Sequence, residues 1–212
     1  MIELEKVIAA LTGQDPHAVT QLVQRALDEG IKAEDVLNQG LIPGMDVIGE
    51  RMQSGEMFIP EVLMAAKKMR AGVSILKPLL GDATISVAGK VAIGTVKGDL
   101  HDIGKNLVKM MMESAGFEVN DLGVDVAPEK FVKAVTENDA DIVALSALLT
   151  TTMPMMKETV DALRESGVRD SVKVMVGGAP VTKKFADDIG ADGYAPDAGS
   201  ANKMAKTLMA LG

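Results

Sequence analysis

Lys90-Val91-Ala92-Ile93-Gly94-Thr95-Val96 runs straight into Lys97-Gly98-Asp99-Leu100-His101-Asp102-Ile103-Gly104-Lys105-Asn106. The first seven residues are mostly apolar and β-branched, so they read as a buried strand. A helix is predicted from Ile103 to Ala115. A glycine-bearing turn between strand and helix suggests a phosphate loop, but the spacing excludes one. A P-loop has four residues between its glycines, then Lys and Ser or Thr. Here five residues separate Gly98 from Gly104, and Asn106 follows Lys105. No G-x-G-x-x-G occurs either. What remains is Asp99-x-His101-x-x-Gly104.

Downstream, the same strand-then-helix pattern repeats. Phe117–Leu122, Asp141–Ser146, Val172–Val176 and Gly193–Ala195 read as strands. Helices are predicted after Pro128, over Met153–Ser166, over 181–189 and over 199–211. Five such units imply a doubly wound parallel sheet with helices on both faces. Ligands of such sheets bind beyond the carboxyl ends of the strands, at the topological switch point. The loops there are Lys97–Asp102, Gly123–Ala127, Ala147–Thr152, Gly177–Pro180 and Pro196–Gly199.

Upstream, only helical spacing is found. A short helix is expected over 3–12. A second starts at Asp15-Pro16, with Asp as N-cap, and closes at Gly30. A third starts near Ala33, carries Val36, Leu37, Leu41, Met45, Val47, Ile48 and Met52, and kinks at Pro43-Gly44. A fourth runs from about Pro60 to Leu80. Gly81-Asp82-Ala83-Thr84-Ile85-Ser86 is small and polar at both ends and reads as a linker. This gives a helical domain over 1–83 and a sheet domain over 89–212.

Composition narrows the chemistry. There is no Cys, which excludes zinc–thiolate sites, iron–sulfur clusters and a cysteine nucleophile. The net charge is −8 and no Lys/Arg run occurs, so no nucleic-acid partner is expected. No apolar stretch approaches the ~20 residues of a membrane span, and the acidic start is unlike a secretory signal. A cytoplasmic protein is expected. Aromatics are only 2 % while Met reaches 15. Met fills irregular apolar surfaces, so most of these read as core, with some free to face a flat ligand or changing partners.

His101 is the residue with chemistry. Neutral imidazole is the commonest metal ligand, and a ligating His usually gives its other ring N–H to a carboxylate. Asp99 stands two residues away and is suited to that. Gly104 lets a bulky ligand approach the helix start. One His does not make a zinc site, which takes at least three protein ligands. The only other His, His17, lies in the helical half and reads as a solvated surface residue. A cofactor bringing four nitrogen ligands of its own completes the count, which points to a haem or a corrin. The plain alternative is that His101 caps a helix or faces water.

At these residues the chain resembles the cobalamin-binding family, which includes the cobalamin module of methionine synthase and the corrinoid proteins of methanogen and acetogen methyltransferase systems. The resemblance covers nearly the whole chain. Gly98-Asp99-Leu100-His101-Asp102-Ile103-Gly104-Lys105-Asn106 matches the first family motif, Ser146-Ala147-Leu148-Leu149-Thr150-Thr151-Thr152-Met153 the second, and Val176-Gly177-Gly178-Ala179-Pro180 the third. It implies an α/β chain: an N-terminal four-helix bundle cap, then a Rossmann/flavodoxin-like five-stranded parallel sheet with helices on both faces. It further implies that His101 replaces the cofactor's nucleotide tail as lower ligand to cobalt. Asp99 then orients His101, and Thr152 backs up Asp99 where methionine synthase has Ser. By the same resemblance Ser146, Leu148 and Thr150 line the tail pocket, and Gly177 and Gly178 leave room for the tail. Tyr194, Ala195 and Asp197 close the pocket's far end. Met52, Ile59 and Val62 of the cap match positions that cover the upper face of the corrin; methionine synthase has Phe in place of Met52. Each residue also has an ordinary reading. Ser146 satisfies strand-end backbone, Leu148 and Tyr194 are core, the glycine pair is a turn, and the cap residues are bundle core.

The function implied is a methyl carrier. Cobalamin or a related corrinoid accepts a methyl group on Co(I) from a methylamine, methanol or betaine type of donor, through a cognate substrate-specific methyltransferase. A second methyltransferase passes it to coenzyme M or tetrahydrofolate, and a reductive activase restores the metal. The alternative is a cobalamin-dependent sensor. Sensors that share both domains add a DNA-binding segment, for which this acidic chain has no residues left over.

Overall fold

The computed structural model describes residues 2–80 and 88–210; the linker expected at 81–86 lies outside the described residues. The chain divides into two compact units, one helical and one built on a sheet.

The helical unit holds α1 (Ile2–Thr12), α2 (Ala18–Asp28), α3 (Ala33–Val36), α4 (Ile42–Gln53) and α5 (Ile59–Leu76). Its buried residues follow the helical period: Leu4, Val7 and Leu11; Val19, Val23 and Ala26; Met45 and Ile48; Ala66 and Met69. Gly44 brings α4 against α1 so closely that a Cβ there would stand 2.3 Å from Leu11 Cδ1.

Three boundaries differ from the expectation. The helix expected at Asp15-Pro16 starts at Ala18, and its N-cap is His17, which makes no side-chain cap. Asp15 Oδ1 instead accepts the His17 N–H at 2.8 Å, a local turn that delays the helix. The single third helix is α3 and α4 joined by a π-helical turn at Leu37–Leu41, just ahead of the expected kink. Pro43 brings no N–H for the carbonyl four residues back, and the turn lies over that gap. The fourth helix ends at Leu76, and Lys77–Leu79 tightens into a 3-10 turn at Pro78.

The second unit has β1 (Lys90–Val96), α6 (Ile103–Ser114), β2 (Glu118–Val126), α7 (Pro128–Asn138), β3 (Ile142–Ser146), α8 (Pro154–Glu165), β4 (Lys173–Gly177), α9 (Lys183–Ile189), β5 (Gly193–Ala195) and α10 (Ala198–Leu208). The sheet order is β2-β1-β3-β4-β5, with every pairing parallel. Ala92, Val96, Val143, Leu145, Val174 and Val176 pack under α7, α8 and α9, around Phe131, Met156, Val160 and Leu163. The alternate residues Val91, Ile93, Ile142, Ala144 and Met175 are buried on the other face. A right-handed β1-to-β2 crossover places α6 there.

Chain direction across the sheet reverses between β1 and β3, which is the switch point of this strand order. The loops after β1 and β3 therefore meet there. β2 runs to Val126, so the loop expected at Gly123–Ala127 is mostly strand. The β1–β2 register slips between Ile93 and Gly94 and again between Gly94 and Val96. These slips bulge the end of β2 towards the loop that carries His101.

Candidate functional site

Asp99 is the hub of the switch-point loops. It is fully buried. Its Oδ1 accepts the His101 backbone N–H at 3.1 Å and stands 2.7 Å from His101 Nδ1. Its Oδ2 accepts the N–H groups of Leu148 at 2.8 Å and Leu149 at 3.3 Å. Thr152 Oγ1 lies 2.8 Å from the same oxygen and 2.9 Å from the Leu149 carbonyl oxygen. One carboxylate thus ties the loop after β1 to the loop after β3.

Burial pushes the Asp99 carboxyl up, but hydrogen bonds from Leu148 N–H, the His101 ring and N–H, and the Thr152 hydroxyl outweigh it. The group is held well below the usual carboxylate range. A carboxylate this firmly anionic accepts the proton on His101 Nδ1. That fixes the tautomer and leaves the Nε2 lone pair for a ligand. The His101 side chain is 51 % exposed, so its ring is held at one nitrogen and open to solvent elsewhere.

The surroundings suit a large flat group. A Cβ on Gly104 would meet nothing within 4 Å. Leu100 and Ile103 neighbour His101 in the chain, Leu148 and Leu149 bond Asp99 through their N–H groups, and the four are exposed at 71, 77, 44 and 41 %. Among the described residues no group of three His, Cys, Asp or Glu could hold a bare metal ion, and His17 is exposed in the helical unit. The donor set is a single imidazole on an apolar platform. It matches a metal that arrives with its equatorial ligands already in place.

The family models decide between haem and corrin: a B12 binding domain matches residues 89–202, and a second B12 binding domain model matches 3–77. The chain belongs to the B12-binding corrinoid proteins. It is 44 % identical over 208 residues to the dimethylamine corrinoid protein of Methanosarcina barkeri, covering 98 % of this chain and 97 % of the relative. Among solved structures it matches a cobalamin-binding protein from Desulfitobacterium hafniense DCB-2, with a TM-score of 0.85 and 36 % identity over 98 % of this chain and 99 % of that one. It also matches the methanol:cobalamin methyltransferase complex of Methanosarcina barkeri, with a TM-score of 0.84 and 30 % identity, covering 99 % of this chain and 80 % of that one. As in other B12-binding proteins, the cofactor is a corrinoid. No helix is long and apolar enough to cross a membrane among the described residues.

The remaining site candidates fall into groups. Ser146 ends β3, half-buried, opposite Thr95 and Gly177. Leu148 and Thr150 are exposed on the loop after it. Gly177 and Gly178 are needed by the fold itself. A Cβ would stand 2.8 Å from the Ala195 carbonyl oxygen at the first and 1.9 Å from that of Ala147 at the second. Tyr194 is half-buried against the sheet core. Asp197 is the N-cap of α10 and accepts the Ser200 N–H at 2.8 Å and its hydroxyl at 2.9 Å. In the helical unit Val62 is fully buried, Met52 is half-buried and Ile59 is 44 % exposed. Phe58 and Met64 on the same stretch are more exposed than any of the three.

Two strand residues that hold the loop after β1 escaped the sequence reading. Thr95 Oγ1 donates to the His101 carbonyl oxygen at 2.9 Å. A hydroxyl at the end of an otherwise apolar strand was the available signal. Asp125 Oδ1 accepts the Gly98 N–H at 2.7 Å, and no local pattern announces that contact.

Proposed function

We propose that this chain is the methyl-carrying subunit of a corrinoid-dependent methyltransferase system, in which His101 would hold the cobalt through Nε2. The observation that carries the reading is the 2.7 Å contact between His101 Nδ1 and the buried Asp99 carboxylate. It leaves one imidazole nitrogen available for the metal. The bound corrinoid supplies a cobalt centre that takes a methyl group from a methylated amine, methanol or betaine type of donor and yields it to an acceptor.

The chain's own residues bind and tune that group. Asp99 holds the His101 ring and raises its basicity as a ligand. Thr152 and the Leu148 and Leu149 N–H groups hold Asp99. Ser146, Leu148, Thr150, Gly177, Gly178 and Tyr194 line the nucleotide-tail pocket in this reading, and Asp197 fixes the turn beside it. Residues 1–83 form the cap domain and 89–212 the cofactor domain. In this reading the donor and acceptor sites belong to partner proteins. They are a donor-specific methyltransferase, a second methyltransferase delivering to coenzyme M or tetrahydrofolate, and a reductive activase. The names of the methylamine corrinoid relative and of the methanol complex support a methyltransferase partner.

The test is reconstitution of the full chain with cobalamin, wild type beside His101→Ala. The variant should retain cofactor less well, with an altered visible spectrum and a shifted Co(II)/Co(I) potential. Identical spectra for the two proteins would remove His101 as the ligand.

A further inference from the structure

Asp125 has φ 51°, as few side-chain-bearing residues do. Among the described residues the same sign of φ occurs without glycine at Asp139 and Ala210. Those two follow the ends of α7 and α10, where a left-handed residue is ordinary helix termination. Asp125 lies inside β2, at the second register slip against β1. A strand bends this way only when something holds it, because the conformation costs about 1 kcal/mol or more. Asp is among the residues that bear it best.

The holding contacts point at one place. Asp125 Oδ1 accepts the Gly98 N–H at 2.7 Å, and the Asp125 N–H donates to the Asp99 carbonyl oxygen at 3.0 Å. Gly98 itself has φ 82°. The two bonds grip consecutive residues of the loop after β1, one through its N–H and the other through its C=O. The bulge is fixed further back as well. Asp121 Oδ1 accepts the Gly123 N–H at 3.0 Å and Lys105 Nζ at 2.6 Å, and Lys105 is buried in the first turn of α6. On its other side Asp99 is held by the loop after β3. Without the grip from β2 the Asp99 carbonyl oxygen loses the Asp125 N–H, and the Asp99 backbone keeps its N–H bond to the Val96 carbonyl oxygen at 3.1 Å.

We propose that Asp125 is a positioning residue that clamps Gly98 and Asp99 and thereby sets the direction of the His101 ring. The proposal rests on the reading of His101 as axial ligand. Asp125 does not touch the ring; it acts through Asp99. A plain surface carboxylate at this exposed position would leave the ring unaffected when removed.

The experiment uses the full chain with Asp125→Gly, Asp125→Asn and His101→Ala. Glycine adopts the backbone conformation freely, so it removes the acceptor without adding strain. Asparagine keeps an acceptor oxygen and tolerates the same φ. In the cofactor-free protein, NMR of the His101 ring should show the hydrogen-bonded Nδ1–H of the wild type weakened or lost in Asp125→Gly. It should be retained in Asp125→Asn. With cobalamin, Asp125→Gly should bind about fivefold more weakly, as for one lost hydrogen bond, and shift the Co(II)/Co(I) midpoint towards that of His101→Ala. Asp125→Asn should stay close to wild type in both. A wild-type ring signal in folded Asp125→Gly would overturn the clamp whatever the cofactor does. If His101→Ala leaves the spectrum unchanged while Asp125→Gly alters the ring signal, the axial-ligand reading fails and the clamp stands.

Discussion

Thr152 and Asp99 stand fifty-three positions apart and meet through a 2.8 Å contact between hydroxyl and carboxylate, both residues buried. The Thr152 hydroxyl is the side-chain donor that α8's loop contributes to Asp99; the other donors from that loop are backbone. Thr152→Val keeps the shape and deletes the donor. A hydrogen bond to a charged group is worth about 1.5–3 kcal/mol, so the variant should lose stability in that range and hold cobalamin less tightly. Thr152→Ser restores the hydroxyl and should recover most of both. Denaturant unfolding of the cofactor-free chain and a cobalamin titration would check this. Equal stability for the Val and Ser variants would show that the hydroxyl contributes nothing measurable to holding Asp99.

Gly178 and Gly104 lie in matched motifs but should respond oppositely to alanine. At Gly178 the new Cβ would stand 1.9 Å from the Ala147 carbonyl oxygen, at φ 124°. Backbone cannot yield as a side chain can, so Gly178→Ala should lose more than about 3 kcal/mol or fail to fold. At Gly104 nothing lies within 4 Å, and the position is in the first turn of α6. Gly104→Ala should be as stable as wild type or firmer by about 0.4–1 kcal/mol, yet take up cobalamin less well. Thermal melts paired with cofactor titration separate the two. Undiminished cobalamin uptake by Gly104→Ala would mean that the open space is not used.

Much of the site was legible because its chemistry is local in sequence. Asp99, His101 and Gly104 lie within six positions, and the β1 and β5 boundaries were read to the residue. The strand-then-helix alternation likewise gave the parallel sheet. What failed to show was the set of contacts made across the sheet. Asp125 reads as one more polar residue past the end of a short strand, because a bulge leaves no periodic trace. The π turn at Leu37–Leu41 keeps the apolar spacing of a plain helix, so the kink was placed at the proline instead. The glycine pair reads as room for a ligand or as a turn; what no local pattern shows is that the carbonyl oxygens of Ala195, at the end of β5, and of Ala147 already leave no space for a Cβ at either glycine.

Asp121 gives the acid limb of stability a specific source. Burial pushes its carboxyl up, but the hydrogen bond from Lys105, the Gly123 N–H, the Lys105 charge and Lys109 together hold it below the ordinary value. A carboxyl depressed on folding contributes stability that is fully present above the unfolded value, about pH 3.9. That contribution is lost as the pH falls through the lower folded value. Asp121→Asn should therefore flatten the pH dependence below about pH 4. At neutral pH it should cost about 3 kcal/mol, because Lys105 is left charged and buried. Urea unfolding at several pH values would show this. An acid limb unchanged in slope would place the titrating group elsewhere.

Lys68 makes the corresponding test in the helical unit. A lysine between Lys67 and Met69 on a helix reads as solvated surface, yet this one is buried. Its Nζ donates to the carbonyl oxygens of Ala10 at 3.3 Å and Leu11 at 3.4 Å, and to that of Gly13. These carbonyls end α1, where the last turn has no intrahelical donors, and a cation there also opposes the negative end of the helix dipole. Burial pulls the Lys68 pKa down, opposed by the Asp15 charge. Lys68→Met fills similar space without the donor and should cost about 1–3 kcal/mol through the carbonyls that lose the Lys68 bond, of which that of Ala10 keeps the Gly13 N–H. Amide exchange should quicken at the carboxyl end of α1 more than along α4. A uniform change over both helices would mean that Lys68 acts by packing and not as a cap.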